Sequence, residues 1–304
     1  MARQPSWLDT LLDWLARRRG ATLSLTAVYF VAIVMSHEWF QSVALWSYER
    51  FGRERVNVAV QVIGAVLLIL VARLCVRAIR DSSHRVARVA LCLGTGLLAG
   101  LSYPLLFYTD MEAVHFPQYA ILVFPIYALV GRYALTILLV TLLGLLDESF
   151  QYFITHAGWC IQLDFNDVVL NLIGGAMGCL LIFLATGGKW TKSPAHRSRQ
   201  VRLIRSPVLL IYAALAVGCA VLYQASVLTV YPRAGGTKPA LVLRRQGPPT
   251  AFWQMTPWRK RYHELLPHEG VLLVVVLIGM YGAMDWLSSQ ERESNRAAGE
   301  ALTE

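Results

Sequence analysis

Long apolar runs alternate with short polar breaks along this chain, and the length of the runs sets the first expectation. Residues 56–76, VNVAVQVIGAVLLILVARLCV, carry a single charge; 167–187 carry only the leading Asp167, and 207–231 carry none. About 20 apolar residues cross the hydrocarbon core of a bilayer as a helix, so each run reads as a transmembrane segment. The pattern predicts eight spans, near 22–40, 56–76, 88–108, 117–131, 133–152, 167–187, 207–231 and 270–287, with only Gly131-Arg132 between the fourth and the fifth. The expected fold class is all-α, a polytopic transmembrane helical bundle.

Ahead of the first span, SWLDTLLDWLARRR places Trp7, Leu8, Leu11, Leu12, Trp14 and Leu15 on one helical face. Ser6 and Asp9 have capping-box spacing, so residues 1–20 are expected to form a helix lying on the membrane surface. Arg17–Arg19 resemble the start of a signal peptide, but no small-residue cleavage site follows, and the first span is read as a retained anchor. The organisation expected is two spans in 21–86, a four-span core in 87–187, a basic loop at 188–206, and two further spans in 207–287. The last two are joined by an aromatic and basic loop at 232–267, and a polar tail occupies 288–304.

Composition strengthens this reading. The chain of 304 residues is 56% hydrophobic and 15% charged, where soluble domains carry about 25% charged residues. The net charge of +9 is not read as nucleic-acid binding, because basic residues collect in the loops of membrane proteins that face the cytoplasm. With the N terminus inside, 18 of the 28 Lys and Arg residues fall on the cytoplasmic side and 10 outside. This predicts a multi-pass membrane protein with its N terminus in the cytoplasm. Four of the five cysteines lie in apolar segments and only Cys160 in a loop, so no disulfide framework or CxxC site is indicated.

Residues 147–178, DESFQYFITHAGWCIQLDFNDVVLNLIGGAMG, carry four carboxylates and four side-chain amides with no Lys or Arg. By the predicted orientation, three helix ends bring His115, Glu148, Gln151, Asp167 and Asn171 to the outer boundary. Glu148 and Gln151 are three apart and share a helical face. Asp167, Asn171, Gly174 and Gly178 form one stripe, whose glycine end lets a neighbouring helix approach closely. A carboxylate deep in the membrane costs about 2.5–3.5 kcal/mol on an insertion scale, so such residues usually face the bundle interior and mark a site. Structural readings stand beside the functional ones. Asp164 suits an N-cap, Asp167 the helix dipole, Gln151 and Asn171 interhelical hydrogen bonding, and Glu148 and His115 the interface.

The ordered set Glu148-x-x-Gln151, Asp167-x-x-x-Asn171 and Gly174-x-x-x-Gly178, preceded by His115-x-x-x-Tyr119, resembles the VanZ-like family of membrane proteins over roughly residues 90–187. The resemblance implies a multi-helix protein of the bacterial envelope, in a family named for resistance to glycopeptides such as teicoplanin. That family tends to carry an Arg shortly before the Asp; here residues 152–166 hold none, and Ile161 and Gln162 stand near that place. Loop 232–267 offers substitutes in Arg233, Lys238, Arg244, Arg245, Arg259, Lys260 and Arg261, interleaved with Phe252, Trp253, Trp258 and Tyr262. Guanidinium groups suit phosphate, and indole rings suit a sugar face or the lipid interface.

The expected function is an enzyme acting at the outer face on a lipid-linked or envelope glycan. Glu148, His115 and Asp167 are the catalytic candidates: Glu148 as general acid or base, His115 as its proton partner, and Asp167 orienting the ring. Gln151, Asn171, Arg244, Arg245, Trp253 and Trp258 are the substrate-binding candidates. The alternative is a non-catalytic binder of cell-wall precursor; a transporter is less favoured because no matched inverted halves are visible. No nucleotide loop or haem motif occurs, no HxxxH or HExxH spacing points to metal, and no cofactor is expected. The expected partners are membrane lipids and a lipid-linked glycan or cell-wall precursor, with no nucleic acid; the sequence names no protein partner.

Overall fold

The computed structural model describes residues 7–80, 85–157, 160–187, 190, 206–232, 241–257 and 259–300. Ser6 of the expected capping box, nearly all of the basic loop 188–206, and Arg233, Lys238 and Trp258 lie outside the described residues. The described residues form nine α-helices: α1 (Trp7–Arg17), α2 (Arg19–Phe51), α3 (Arg53–Arg80), α4 (Arg85–Leu105), α5 (His115–Val130), α6 (Tyr133–Phe150), α7 (Phe165–Thr186), α8 (Pro207–Gln224) and α9 (Pro267–Glu300). A short 3-10 turn (Asp110–Val114) leads into α5, and a π-helical turn (Gln151–Thr155) extends α6. With these extensions, α2 to α9 are all long and apolar enough to cross a membrane. The protein is an all-α, multi-pass membrane bundle.

Helix α7 is its centre. Val168, Leu170, Leu172, Ala176, Cys179 and Phe183 are all shielded, by α5, α6, α4 and α9 around them. The peripheral helices show the opposite pattern: α3 turns Val62, Ile63 and the whole of Val66–Leu70 outward. An apolar face of that extent would aggregate in water, and in a bilayer it is the lipid-facing surface.

The close approach of α5 to α7 is set by glycines. A Cβ on Gly174 would meet the His115 carbonyl oxygen at 2.8 Å, and one on Gly178 would meet the Ala120 carbonyl oxygen at 2.5 Å. Backbone therefore lies against backbone, the small-residue packing that the 174/178 spacing predicted. At the other end of α5 the chain reverses within two residues. Gly131 makes this possible by taking a left-handed conformation, φ 71°, while its N–H closes on the Tyr127 oxygen at 2.6 Å. The following helix has no cap of its own; Asp285 of α9 supplies one, accepting from the Tyr133 and Ala134 N–H groups at 2.7 and 3.2 Å.

Three elements differ from their expected forms. The first span extends to Phe51 instead of ending near residue 40, so α2 is about 50 Å long at 1.5 Å per residue. Helix α9 continues through residues 288–300, expected as a polar tail, because QERESNRAAGE contains mostly good helix formers. In α1 the apolar face divides: Leu8, Leu12, Leu15 and Ala16 are buried, chiefly against α5, while Trp7 and Trp14 stay exposed. Leucines at i, i+4 and i+7 form a stripe narrow enough to dock on protein, with the indoles to one side of it.

Beyond α8 the chain makes two small pairings, β1 (Leu228–Thr229) with β2 (Leu241–Val242) and β3 (Gln254–Met255) with β4 (Arg261–Tyr262). Residues 241–245 run between 228–230 and 161–163, with Leu163 N–H on Leu243 O at 2.9 Å and Arg245 N–H on Ile161 O at 2.7 Å. Asn166, near the start of α7, ties this end together. Its side-chain amide donates to Leu106 O and His263 O, and its oxygen accepts from Leu265 N–H, each at 2.8 Å.

Candidate functional site

Four helices meet at one end of the bundle and place their polar residues there. Each arrives for a local reason. His115 opens α5 directly after a 3-10 turn in which Glu112 and Thr109 form a capping box. Asp167 and Asn171 lie in the first two turns of α7, whose start is set by Asp164 accepting from the Asn166 and Asp167 N–H groups at 2.9 and 3.4 Å. Asp147, Glu148 and Gln151 share the end of α6, where the backbone widens into a π turn closed by His156 N–H on Gln151 O at 2.7 Å. Single π turns inside α-helices are frequent at functional sites. His37 enters from α2, about 27 Å along that helix from Arg19.

The cluster has two adjoining halves. In one, His115 Nδ1 is 2.8 Å from Asn171 Oδ1, and His115 Nε2 is 3.5 Å from Asp167 Oδ1. In the other, His37 Nε2 lies 3.3 Å from Asp147 Oδ2, which also accepts from the Tyr119 hydroxyl at 2.9 Å. Gln151 Nε2 stands 3.1 Å from His37 Nε2, 3.2 Å from Glu148 Oε1 and 3.3 Å from Asp147 Oδ1. The two imidazoles join the halves, their centroids 5.7 Å apart. Asp147 and Asn171 are fully enclosed, and Glu148 and His115 are each 3% exposed; His37 and Asp167 retain 16% and 18% of their side-chain surface. Among the described residues, no Lys or Arg pairs with Asp147, Glu148 or Asp167. At the rim, burial and then the neighbouring Asp167 push the Asp164 carboxyl up to about 7.

All five helix-end candidates therefore meet, in an arrangement that differs from the expected relay. His115 contacts Asp167 and, more closely, Asn171; Glu148 bonds to Gln151 in the half that holds Asp147 and His37. Asn171, expected to hold substrate, is the nearer partner of the His115 ring, and its Nδ2 has no hydrogen-bond partner.

The loop candidates are elsewhere. Arg244 is buried, with its guanidinium bonded to Gln162, Glu264 and the Gly247 carbonyl. Arg245 donates to the carbonyls of Cys160 and Tyr152 at 2.6 and 3.0 Å and lies over the Tyr152 ring. Trp253 is exposed and packs edge-on against Phe252. None of the three has a hydrogen bond or ion pair to the His–carboxylate cluster. The two arginines fasten loop 241–245 to the bundle, which explains the burial of Arg244 without a ligand.

His37, Tyr119 and Asp147 complete the cluster and were not among the site residues expected. Asp147 had a local signal, since it is four residues from Gln151 on the face that Glu148 shares. Tyr119 follows His115 by one turn. His37 has no such signal: its nearest partners are 110 and 114 residues away. Comparison of the chain with protein-family models, with curated proteins and with solved structures finds no match.

Proposed function

We propose that this protein is an integral membrane enzyme of the bacterial envelope that performs acid–base chemistry on a lipid-linked glycan. One observation carries the reading: two His–Asp pairs, His115–Asp167 at 3.5 Å and His37–Asp147 at 3.3 Å, lie side by side at one end of a membrane bundle with no Lys or Arg of the described residues neutralising them. Polar clusters of this kind are expensive near hydrocarbon, and a purely structural role would be served by far fewer charges. His115 and Asp167 are the pair that shares and hands on the proton, between Nε2 and the carboxylate, with Asn171 holding the ring through Nδ1. That replaces the Glu148–His115 relay expected from sequence, because Glu148 belongs to the other half.

The order of motifs that resembles the VanZ-like family supports a role in envelope chemistry. The excess of Lys and Arg in the segments read as cytoplasmic supports an N terminus in the cytoplasm and a site facing outward.

The test is turnover of a polyprenyl-linked saccharide by the protein in proteoliposomes, followed by mass spectrometry. Wild-type protein converts the substrate, and His115→Ala and Asp167→Asn lose about 100-fold or more in rate while eluting as folded protein. Wild-type rates in both variants would overturn the reading. Binding of the saccharide without turnover by the wild type would also overturn it, in favour of a non-catalytic binder.

A further inference from the structure

We propose that His37, Asp147 and Glu148 form a binding site for a single first-row divalent cation, such as Zn²⁺ or Mn²⁺. Their ligand atoms all lie within 4.8 Å of one another. Two ligand atoms each about 2.1 Å from a tetrahedral ion are about 3.4 Å apart, and His37 Nε2 lies 3.3 Å from Asp147 Oδ2. One edge of the coordination shell is thus already at its working length. Imidazole with carboxylates and no thiolate is a ligand set for Zn²⁺ or Mn²⁺.

The contacts of the Gln151 amide mark the same place. His37 Nε2, Asp147 Oδ1 and Glu148 Oε1 all turn toward one group, the Gln151 amide nitrogen, at 3.1, 3.3 and 3.2 Å. That nitrogen has two hydrogens for three acceptors. His37 Nε2 is asked to accept from Gln151 and to donate to Asp147, and one ring nitrogen cannot do both. Imidazole and carboxylate atoms thus converge on one point in an enclosed space that no Lys or Arg of the described residues enters. A cation there would be met by all three side chains.

The surroundings fit the same role. The Tyr119 hydroxyl bonds to Asp147 Oδ2 at 2.9 Å, as groups behind a metal ligand do when they orient it. Rotating the Gln151 amide by a half turn would present its oxygen as a fourth ligand; left as it stands, the fourth position is open to water or substrate. The exposed part of His37 supplies an entry side. The metal site uses the half of the cluster that the proton-handling pair leaves free, and its existence does not depend on catalysis.

Tag-free protein in detergent, stripped with chelator and dialysed against ZnCl₂ or MnCl₂, tests the proposal by elemental analysis and calorimetry. The wild type should retain about one equivalent per chain. His37→Ala, Asp147→Asn and Glu148→Gln should each bind about 10- to 100-fold more weakly or worse. The last two are isosteric, and helicity and elution volume verify their fold. His263→Ala, which disrupts a separate His–Glu pair at 3.2 Å, should retain the metal. No bound metal in the wild type, or equal retention in all variants, would overturn the proposal. Metal retention by a protein that turns over no glycan would leave this site standing and remove the catalytic reading, so the two fail separately.

Discussion

His115 and Asn171 are 56 residues apart in the chain, and in the folded protein the ring Nδ1 of one lies 2.8 Å from the side-chain oxygen of the other. An amide oxygen can only accept, so Nδ1 carries one proton, and the proton that is exchanged lies between Nε2 and Asp167, 3.5 Å apart. The tautomer of His115 is thereby set by α7. In Asn171→Ala that preference should vanish, which nitrogen-15 NMR of labelled histidine would reveal. The accompanying rate loss should be about 10- to 100-fold, smaller than that from removing the imidazole. An unchanged Nδ1–H signature in the variant would show that Asn171 does not orient the ring.

The glycine stripe gives a stability prediction. A methyl group at Gly178 meets backbone, the Ala120 carbonyl oxygen at 2.5 Å and Ala120 Cα at 2.9 Å, and neither can rotate away. Gly178→Ala should destabilise the protein by about 1–3 kcal/mol, and Gly178→Val by more. Gly279, with nothing within 4 Å of its added Cβ, is the control, and Gly279→Ala should unfold at the wild-type temperature. Equal thermal midpoints for all four proteins in detergent would refute close packing of α5 on α7.

Asn166 holds three segments by three hydrogen bonds, to Leu106, His263 and Leu265. At about 1 kcal/mol each, their loss in Asn166→Ala should free the segment after β2. Limited proteolysis should then cut within 241–266 several-fold faster, with the helical bundle intact. Asn166→Asp, which keeps the acceptor and loses both donors, should fall between. Cleavage at the wild-type rate in both variants would mean that the loop is held by other contacts.

Asp164 predicts a pH dependence. Its carboxyl titrates at about 7 in the folded protein, against 3.8 ordinarily, with burial the first cause and Asp167 the second. Between those values the folded chain keeps a proton that the unfolded chain has lost. Stability from this group therefore falls as pH rises from about 4 to 7, and the loss is complete above 7. Asp164→Asn retains a good N-cap and removes the titration. Its thermal midpoint should gain on the wild type steadily from acid to neutral pH, and a constant difference across that range would contradict the shift.

The amphipathic and apolar periods made the helices legible, including the α5–α6 turn at Gly131-Arg132 and the Asp164 cap, because each depends on residues within a few positions of one another. The same locality made Glu148 with Gln151, and Asp167 with Asn171, readable as pairs. Arg244 and Arg245 misled for a physical reason: composition shows a guanidinium but not its partners, and Glu264, Gln162 and the carbonyls of Cys160 and Tyr152 had already engaged both.

By itself the sequence determined that this chain is a bundle of apolar helices with a polar end, since hydrocarbon leaves a 20-residue apolar segment little choice but a helix. Which polar residues face one another was decided only by the tertiary structure. Helix α2 runs far enough to bring His37 to Asp147, and glycines at 174 and 178 let α5 sink against α7 until His115 reaches Asn171. Those contacts depend on the depth, rotation and closeness of separate helices, and no period along a single helix encodes them.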